Sequence, residues 1–287
     1  MEVHYAQMTR VIDVGMRAPE EYLLIKPTVK FMFSRDPYAK VWSAYLDKYY
    51  LPDFWYQAAK YVVPKIRSNP SEKSTKCGHD VTFEEFVSFN YQFRNTKLNE
   101  HFVPTVWNCD PCTIDFDVLG KVESFRKDAD LVLASVGLLG RIPEDKYLNQ
   151  EITEIISLVE YNINIIQRLV NYNGQNRKCF DFVEICRRVW VVFQHNGYLG
   201  STLPFPAETF LNIKSENEFK EKMIQTVINV RKATDTKTLK KWTSQREQSM
   251  RNAYNSLPKD LIENFKEMYS DDFEIFQYEK HPIWLKH

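Results

Sequence analysis

The residues best placed to do chemistry sit between Lys30 and Tyr49. Arg35, Asp36 and Pro37 stand together after a short apolar run, Phe31 to Phe33. Behind them Val41, Trp42, Tyr45 and Tyr49 recur at helical spacing. Pro37 has a fixed φ and no N–H, so it suits a turn or the first turn of a helix. The predicted unit is strand, tight turn and helix, with Arg35 at the carboxyl end of the strand. Open α/β sheets bind ligands at that edge. A guanidinium beside a helix N-terminus makes an anion site. Ser43 follows Arg35 by about two helical turns, where its hydroxyl can face the turn. Taken alone, the same spacing equally suits an ion-paired turn.

A second group of reactive side chains lies in Asn99-Glu100-His101-Phe102 and in Gly120-Lys121-Val122-Glu123. A neutral imidazole titrating near pH 7 suits a general base. His101 is therefore the first choice for that role, although a lone histidine is more often structural. Glu100 and Glu123 are rivals that the sequence does not rank. The five cysteines are Cys77, Cys109, Cys112, Cys179 and Cys186. Cys109-x-x-Cys112 could be half a zinc site or a redox pair. There is no second CxxC and no nearby His pair, so no metal is expected.

The elements that must position these residues come next. The chain has 287 residues, 44% of them hydrophobic and 14% aromatic, enough for a substantial core. Lys+Arg and Asp+Glu balance at 38 each, which gives no overall electrostatic footprint for nucleic acid. The 8 glycines and the absence of G-x-x-x-x-G-K-[ST] argue against a P-loop kinase. No stretch approaches the roughly 18 apolar residues of a membrane span, and the first residues lack a signal-peptide core. Strands are expected at Phe31–Ser34 and Phe116–Val122, separated by helices and hence paired in parallel. Helices are expected at 124–139, 150–171, 180–195 and 216–240. A short helix is expected at Pro19–Leu24, a surface loop at Ser68–His79, and a helix opened by a Thr82/Glu85 capping box. The tail carries a helix from Leu257 and the run Asp272-Phe273-Glu274-Ile275-Phe276-Gln277-Tyr278, read as structural packing on the sheet.

The full run RDPYAKVWSAYLDKYY resembles the 3′-phosphate-binding motif of the Golgi carbohydrate sulfotransferases, the branch with the chondroitin, dermatan and HNK-1 enzymes. The order Asn99-Glu100-His101, Cys109-x-x-Cys112, Asp115-Phe116-Asp117 and Gly120-Lys121-x-Glu123 resembles that family's second block, and the tail resembles its end. The resemblance covers about residues 28–285. It implies an α/β, P-loop-like sulfotransferase fold, a small and mainly parallel sheet flanked by many helices. It implies PAPS as sulfuryl donor, with Arg35 and Ser43 on its 3′-phosphate, and a glycan or proteoglycan acceptor. It implies no nucleic acid and no metal, and a Golgi membrane or lumenal location. Lys40 departs from the family, which often has Arg there. The family's 5′-phosphosulfate loop, a strand followed by a Lys-bearing turn, is not found in residues 1–29. That segment is therefore read as an N-terminal remnant, the fold as incomplete there, and 30–287 as the sulfotransferase-like domain. The helical segment at about 141–250 resembles an insertion of invertebrate members and is expected to shape acceptor choice. The alternative is a truncated or degenerate, non-catalytic protein that keeps only the 3′-phosphate site. The resemblance also implies that Cys109 or Cys112 bridges another cysteine. Cys179 and Cys186, seven apart, are a second candidate pair, which a helix between them would hold too far apart.

Overall fold

A computed structural model describes residues 29–96, 98–140, 150–172, 179–213 and 215–286. The elements run β1 (Phe31–Ser34), α1 (Pro37–Tyr45), α2 (Glu72–Cys77), α3 (Phe83–Gln92), α4 (Thr105–Cys109), β2 (Val118–Lys121) and α5 (Phe125–Ser135). Then come α6 (Gln150–Tyr172), α7 (Phe182–His195), α8 (Glu216–Lys232), α9 (Thr236–Thr243), α10 (Gln245–Asn255), α11 (Lys259–Met268) and α12 (Ser270–Ile275). A series of short helical turns fills Leu46 to Ile66. The expected Pro19–Leu24 helix and almost all of the expected remnant lie outside the described residues.

The chain divides into two compact units. The first holds the described residues up to Lys40, those from 98 to 140, and Lys266–Lys280. The second holds Val41–Thr96, the described residues from Gln150 to Phe265, and those from His281 onward.

In the first unit β1 and β2 pair in parallel, Phe31 opposite Val118 and Ser34 opposite Lys121. Among the described residues the sheet has these two strands. Period-two alternation buries Met32 and Ser34 while Phe31 faces out. Gly120 lies under the Phe33 ring. A Cβ there would stand 2.5 Å from Phe33 Cε1, and Phe33 itself packs on Phe125 of α5 with centroids 4.9 Å apart. β2 is shorter than the expected 116–122. Asp117 closes its start with its side chain, accepting the Lys30 N–H at 2.8 Å.

The second unit is a helical core. Trp42 and Tyr45 pack against Phe83, with centroids 5.1 and 5.3 Å away. Ile155, Val159, Ile163 and Ile166 of α6 and Ile185, Val189, Trp190 and Phe193 of α7 are all buried, as their helical spacing predicts. Lys48 is buried on Asp53 at 2.6 Å, and Tyr161 of α6 donates to the same carboxylate at 2.8 Å. The Thr82/Glu85 capping box is formed. Ser68–His79 is not a plain loop. Ser71 accepts the Ser74 N–H and starts α2, which stops at Gly78 with φ 61°. The single helix expected over 216–240 is two, because Asp235 caps a fresh start by accepting the Thr238 N–H.

The disulfide is Cys77–Cys179, across 102 residues. Cys109, Cys112 and Cys186 are free thiols, so neither expected pairing is made. Cys186 is buried inside α7, while Cys179 lies ahead of the Asp181 cap that begins that helix. The pair is therefore held apart by helical rise.

Candidate functional site at the end of β1

β1 ends at Ser34, and Arg35-Asp36 turn the chain into α1 at Pro37. Asp36 is the cap of that helix. Its Oδ1 accepts the Ala39 N–H at 3.0 Å. Burial, and then the nearby Glu123 carboxylate, push the Asp36 carboxyl up, against the Ala39 and Tyr38 N–H groups and the Arg35 guanidinium. The first-turn amide is thus already committed to Asp36. An anion beside this turn would depend on the guanidinium of Arg35 rather than on that amide. Ser43 lies seven residues beyond Asp36 on α1, hence on the same helical face, and is half-buried.

Glu123 fixes the turn from β2's side. One carboxylate oxygen accepts the Asp36 N–H at 2.9 Å, and the other accepts the Tyr278 hydroxyl at 2.9 Å. Tyr278 has one proton and gives it to Glu123. Its oxygen can then accept from Ser34 Oγ, 3.1 Å away, which also lies 3.4 Å from the Gly120 carbonyl. Burial raises the Tyr278 phenol well above its usual range, so it stays a donor at neutral pH. Lys121 Nζ sits 4.6 Å over the Tyr278 ring and donates to the Gln277 carbonyl at 3.1 Å. The tail expected to be packing alone is therefore hydrogen-bonded to the end of β1. Sequence reasoning missed this link. The tyrosine was visible, but a separation of 244 residues leaves no local pattern.

Lys40 donates to the Val103 carbonyl at 2.5 Å and to Thr105 Oγ1 at 3.0 Å. Burial lowers its pKa, with Asp272 opposing. Asp272, fully buried, accepts the Thr105 and Val106 N–H groups at 2.7 and 2.9 Å and so caps α4. This cluster anchors the loop that carries His101. The His101 Nδ1 is 2.5 Å from Asn99 Oδ1, which also accepts the His101 N–H at 3.0 Å. An amide oxygen can only accept, so Nδ1 carries the proton and the neutral ring has its lone pair on Nε2. Glu100 lies 3.8 Å from Nδ1. Cys109, at the end of α4, has its thiol pushed up by burial. Of the three carboxylate and imidazole candidates, Glu123 is the one bonded directly to the Arg35-Asp36 turn. Among the described residues no group of three or more His, Cys, Asp or Glu is arranged to hold a metal ion. No helix among them is long and apolar enough to cross a membrane.

The model of the Sulfotransferase family matches residues 16–184, more than half of the chain, including the Arg35 turn, α1 and the His101 loop. The chain belongs to the sulfotransferase family. Carbohydrate sulfotransferase 11 of Rattus norvegicus is 30% identical over 153 residues, 51% of this chain and 44% of that protein. Carbohydrate sulfotransferase 14 of Danio rerio is 32% identical over 109 residues, 38% of this chain and 30% of its own. Carbohydrate sulfotransferase 8 of Mus musculus is 28% identical over 155 residues, 53% and 37% respectively. The chain thus spans less than half the length of these relatives. No solved structure matches it.

Proposed function

We propose that this chain is a carbohydrate sulfotransferase that moves a sulfuryl group from PAPS to a hydroxyl of a glycan or proteoglycan. The observation that carries the reading is the strand-turn-helix unit. Arg35 leaves the carboxyl end of a parallel strand, and Ser43 follows about two helical turns later in the chain on α1. In a chain of this family that pair is suited to the donor's 3′-phosphate, the guanidinium by a charge-assisted pair of hydrogen bonds and the hydroxyl by one more. During transfer the S–O bond to the donor's phosphate breaks as the acceptor oxygen bonds sulfur, and the acceptor hydroxyl gives up its proton. His101 Nε2 is the proposed acceptor of that proton. The carbohydrate sulfotransferase relatives and the disulfide support a Golgi lumenal site of action.

The test is binding of adenosine 3′,5′-bisphosphate to the wild type and to Arg35→Ala, followed by transfer from PAPS to a glycan acceptor. Losing a charge-assisted contact should weaken nucleotide binding by about 1.5–3 kcal/mol. Equal affinity for the two proteins would refute the assignment of Arg35. Binding without transfer would assign the other reading, a non-catalytic protein that keeps the 3′-phosphate site.

A further inference from the structure

The tail meets the Arg35 turn from both sides. After α12 the chain reverses through Gln277, whose φ of 52° lies in the left-handed region that glycine usually fills at a helix end. The Gln277 N–H donates to the Glu274 carbonyl at 3.2 Å and the Tyr278 N–H to the Phe273 carbonyl at 2.9 Å, the paired bonds of a Schellman cap. A residue with a side chain holds such a φ where its surroundings over-determine it. Here Lys121 donates to the Gln277 carbonyl at 3.1 Å, and Phe276 beside it is buried.

Tyr278 and Lys280 then bracket residues 34–38. The β1–β2 ladder ends with Ser34 opposite Lys121, so beyond it the turn is held by hydrogen bonds to side chains and to the tail. On the strand side the Tyr278 hydroxyl lies 3.1 Å from Ser34 Oγ and donates to Glu123, the carboxylate that accepts the Asp36 N–H. On the helix side the Tyr38 hydroxyl donates to the Lys280 carbonyl at 2.8 Å, and the Tyr38 ring packs on Phe273 with centroids 5.3 Å apart. Arg35 lies between these two holds.

We propose that Tyr278 is a positioning residue for the donor site, which sets the Arg35-Asp36 turn through Glu123 in the geometry that receives the 3′-phosphate. The inference rests on the PAPS reading and gives the carboxyl-terminal tail a part in it. Tyr278 acts through the carboxylate rather than by contact with the nucleotide. A guanidinium recognises a phosphate by paired N–H bonds with fixed directions. Releasing one corner of the turn lets that fork swing, which costs recognition of the 3′-phosphate and spares the rest of the nucleotide.

The test compares adenosine 3′,5′-bisphosphate with adenosine 5′-monophosphate, which lacks the 3′-phosphate, on the full chain. The ratio of the two affinities isolates what that phosphate contributes. Tyr278→Phe keeps the ring beneath Lys121 and removes the hydroxyl. It should shrink the wild-type ratio about three- to tenfold, with affinity for the monophosphate retained. In a Glu123→Ala background it should cost little more, because the carboxylate it acts through is gone. A hydroxyl with a structural role alone would lower the thermal midpoint, or weaken both nucleotides alike, and leave the ratio at its wild-type value. That result overturns the proposal, as does a full further loss in the Glu123→Ala background. Arg35→Ala, measured by the same ratio, separates the two readings. If it removes the preference for the bisphosphate while Tyr278→Phe keeps it, only the positioning role fails. If the wild type has no preference to lose, the donor reading fails and this role fails with it.

Discussion

Glu123 holds the backbone of the Arg35-Asp36 turn with one oxygen and the tail's Tyr278 with the other. A carboxylate occupied in this way is a positioning group. Taking a proton from an acceptor would remove the negative charge that strengthens both of those bonds. His101 has the opposite character. Its Nδ1 is fixed by Asn99, so the basic nitrogen of the neutral ring is the one directed away from that bond. The expected outcome for His101→Ala is a fall in turnover of roughly 10²–10⁴-fold with nucleotide affinity retained. Glu123→Gln should instead weaken nucleotide binding, because an amide offers one acceptor oxygen where two hydrogen bonds are now accepted. Turnover of His101→Ala within a few-fold of wild type would pass the role to Glu100 or Glu123 and return the histidine to structure.

At the scale of the element, the β1–β2 pair decides where Arg35 points, and Gly120 decides how closely that pair packs. With a Cβ built 2.5 Å from Phe33 Cε1, any larger residue at 120 must displace a ring already packed on Phe125. Gly120→Val is expected to destabilise the fold by about 1–3 kcal/mol, read as a lower midpoint in denaturant. An unchanged midpoint would show that Phe33 moves aside freely. What was legible at this scale followed from local chemistry. Phe31–Ser34 has the expected bounds because Pro37 and Asp36 impose the turn. α3 begins where its capping box sits. The errors arose where one side chain changed the local rule. Asp235 restarted a helix that periodicity alone carries through, and Ser71 with Gly78 bounded a short helix inside a polar stretch. Gly137, with φ 71°, follows the end of α5 well before the expected position 139. The pairing of Cys77 with Cys179 could not be read locally, since 102 residues separate them.

For the molecule as a whole, titration reveals how the helical unit is held. Closing a loop of about 100 residues removes several kcal/mol of unfolded-state entropy on the chain-entropy account, and Cys77–Cys179 closes one of that length. Two histidines sit near the elements so joined. Burial lowers the pKa of His195, whose ring meets Trp42 edge-on with centroids 5.4 Å apart. Burial also lowers that of His79, with Lys73, Arg188 and Arg67 adding to the effect and Asp80 opposing it. Both groups titrate below their unfolded value of about 6.5. Between the folded and unfolded values the unfolded chain binds more protons than the native one, so stability rises with pH across that window and is lost as pH falls through it. Against burial, the Ser74 hydroxyl and then Arg67 hold the Asp80 carboxyl down, and Arg67 holds Glu85 down; both also lose stability on acidification, as the unfolded carboxyls take up protons. Asp36, raised by burial, works the other way. The thermal midpoint should therefore drop from pH 7.5 to 5.5. His79→Gln/His195→Gln should flatten that dependence whatever it does to the absolute midpoint, because an amide cannot take up the proton. A wild-type midpoint constant over this interval, or a slope unchanged in the double variant, would show that these two imidazoles do not set the acid limit of the fold.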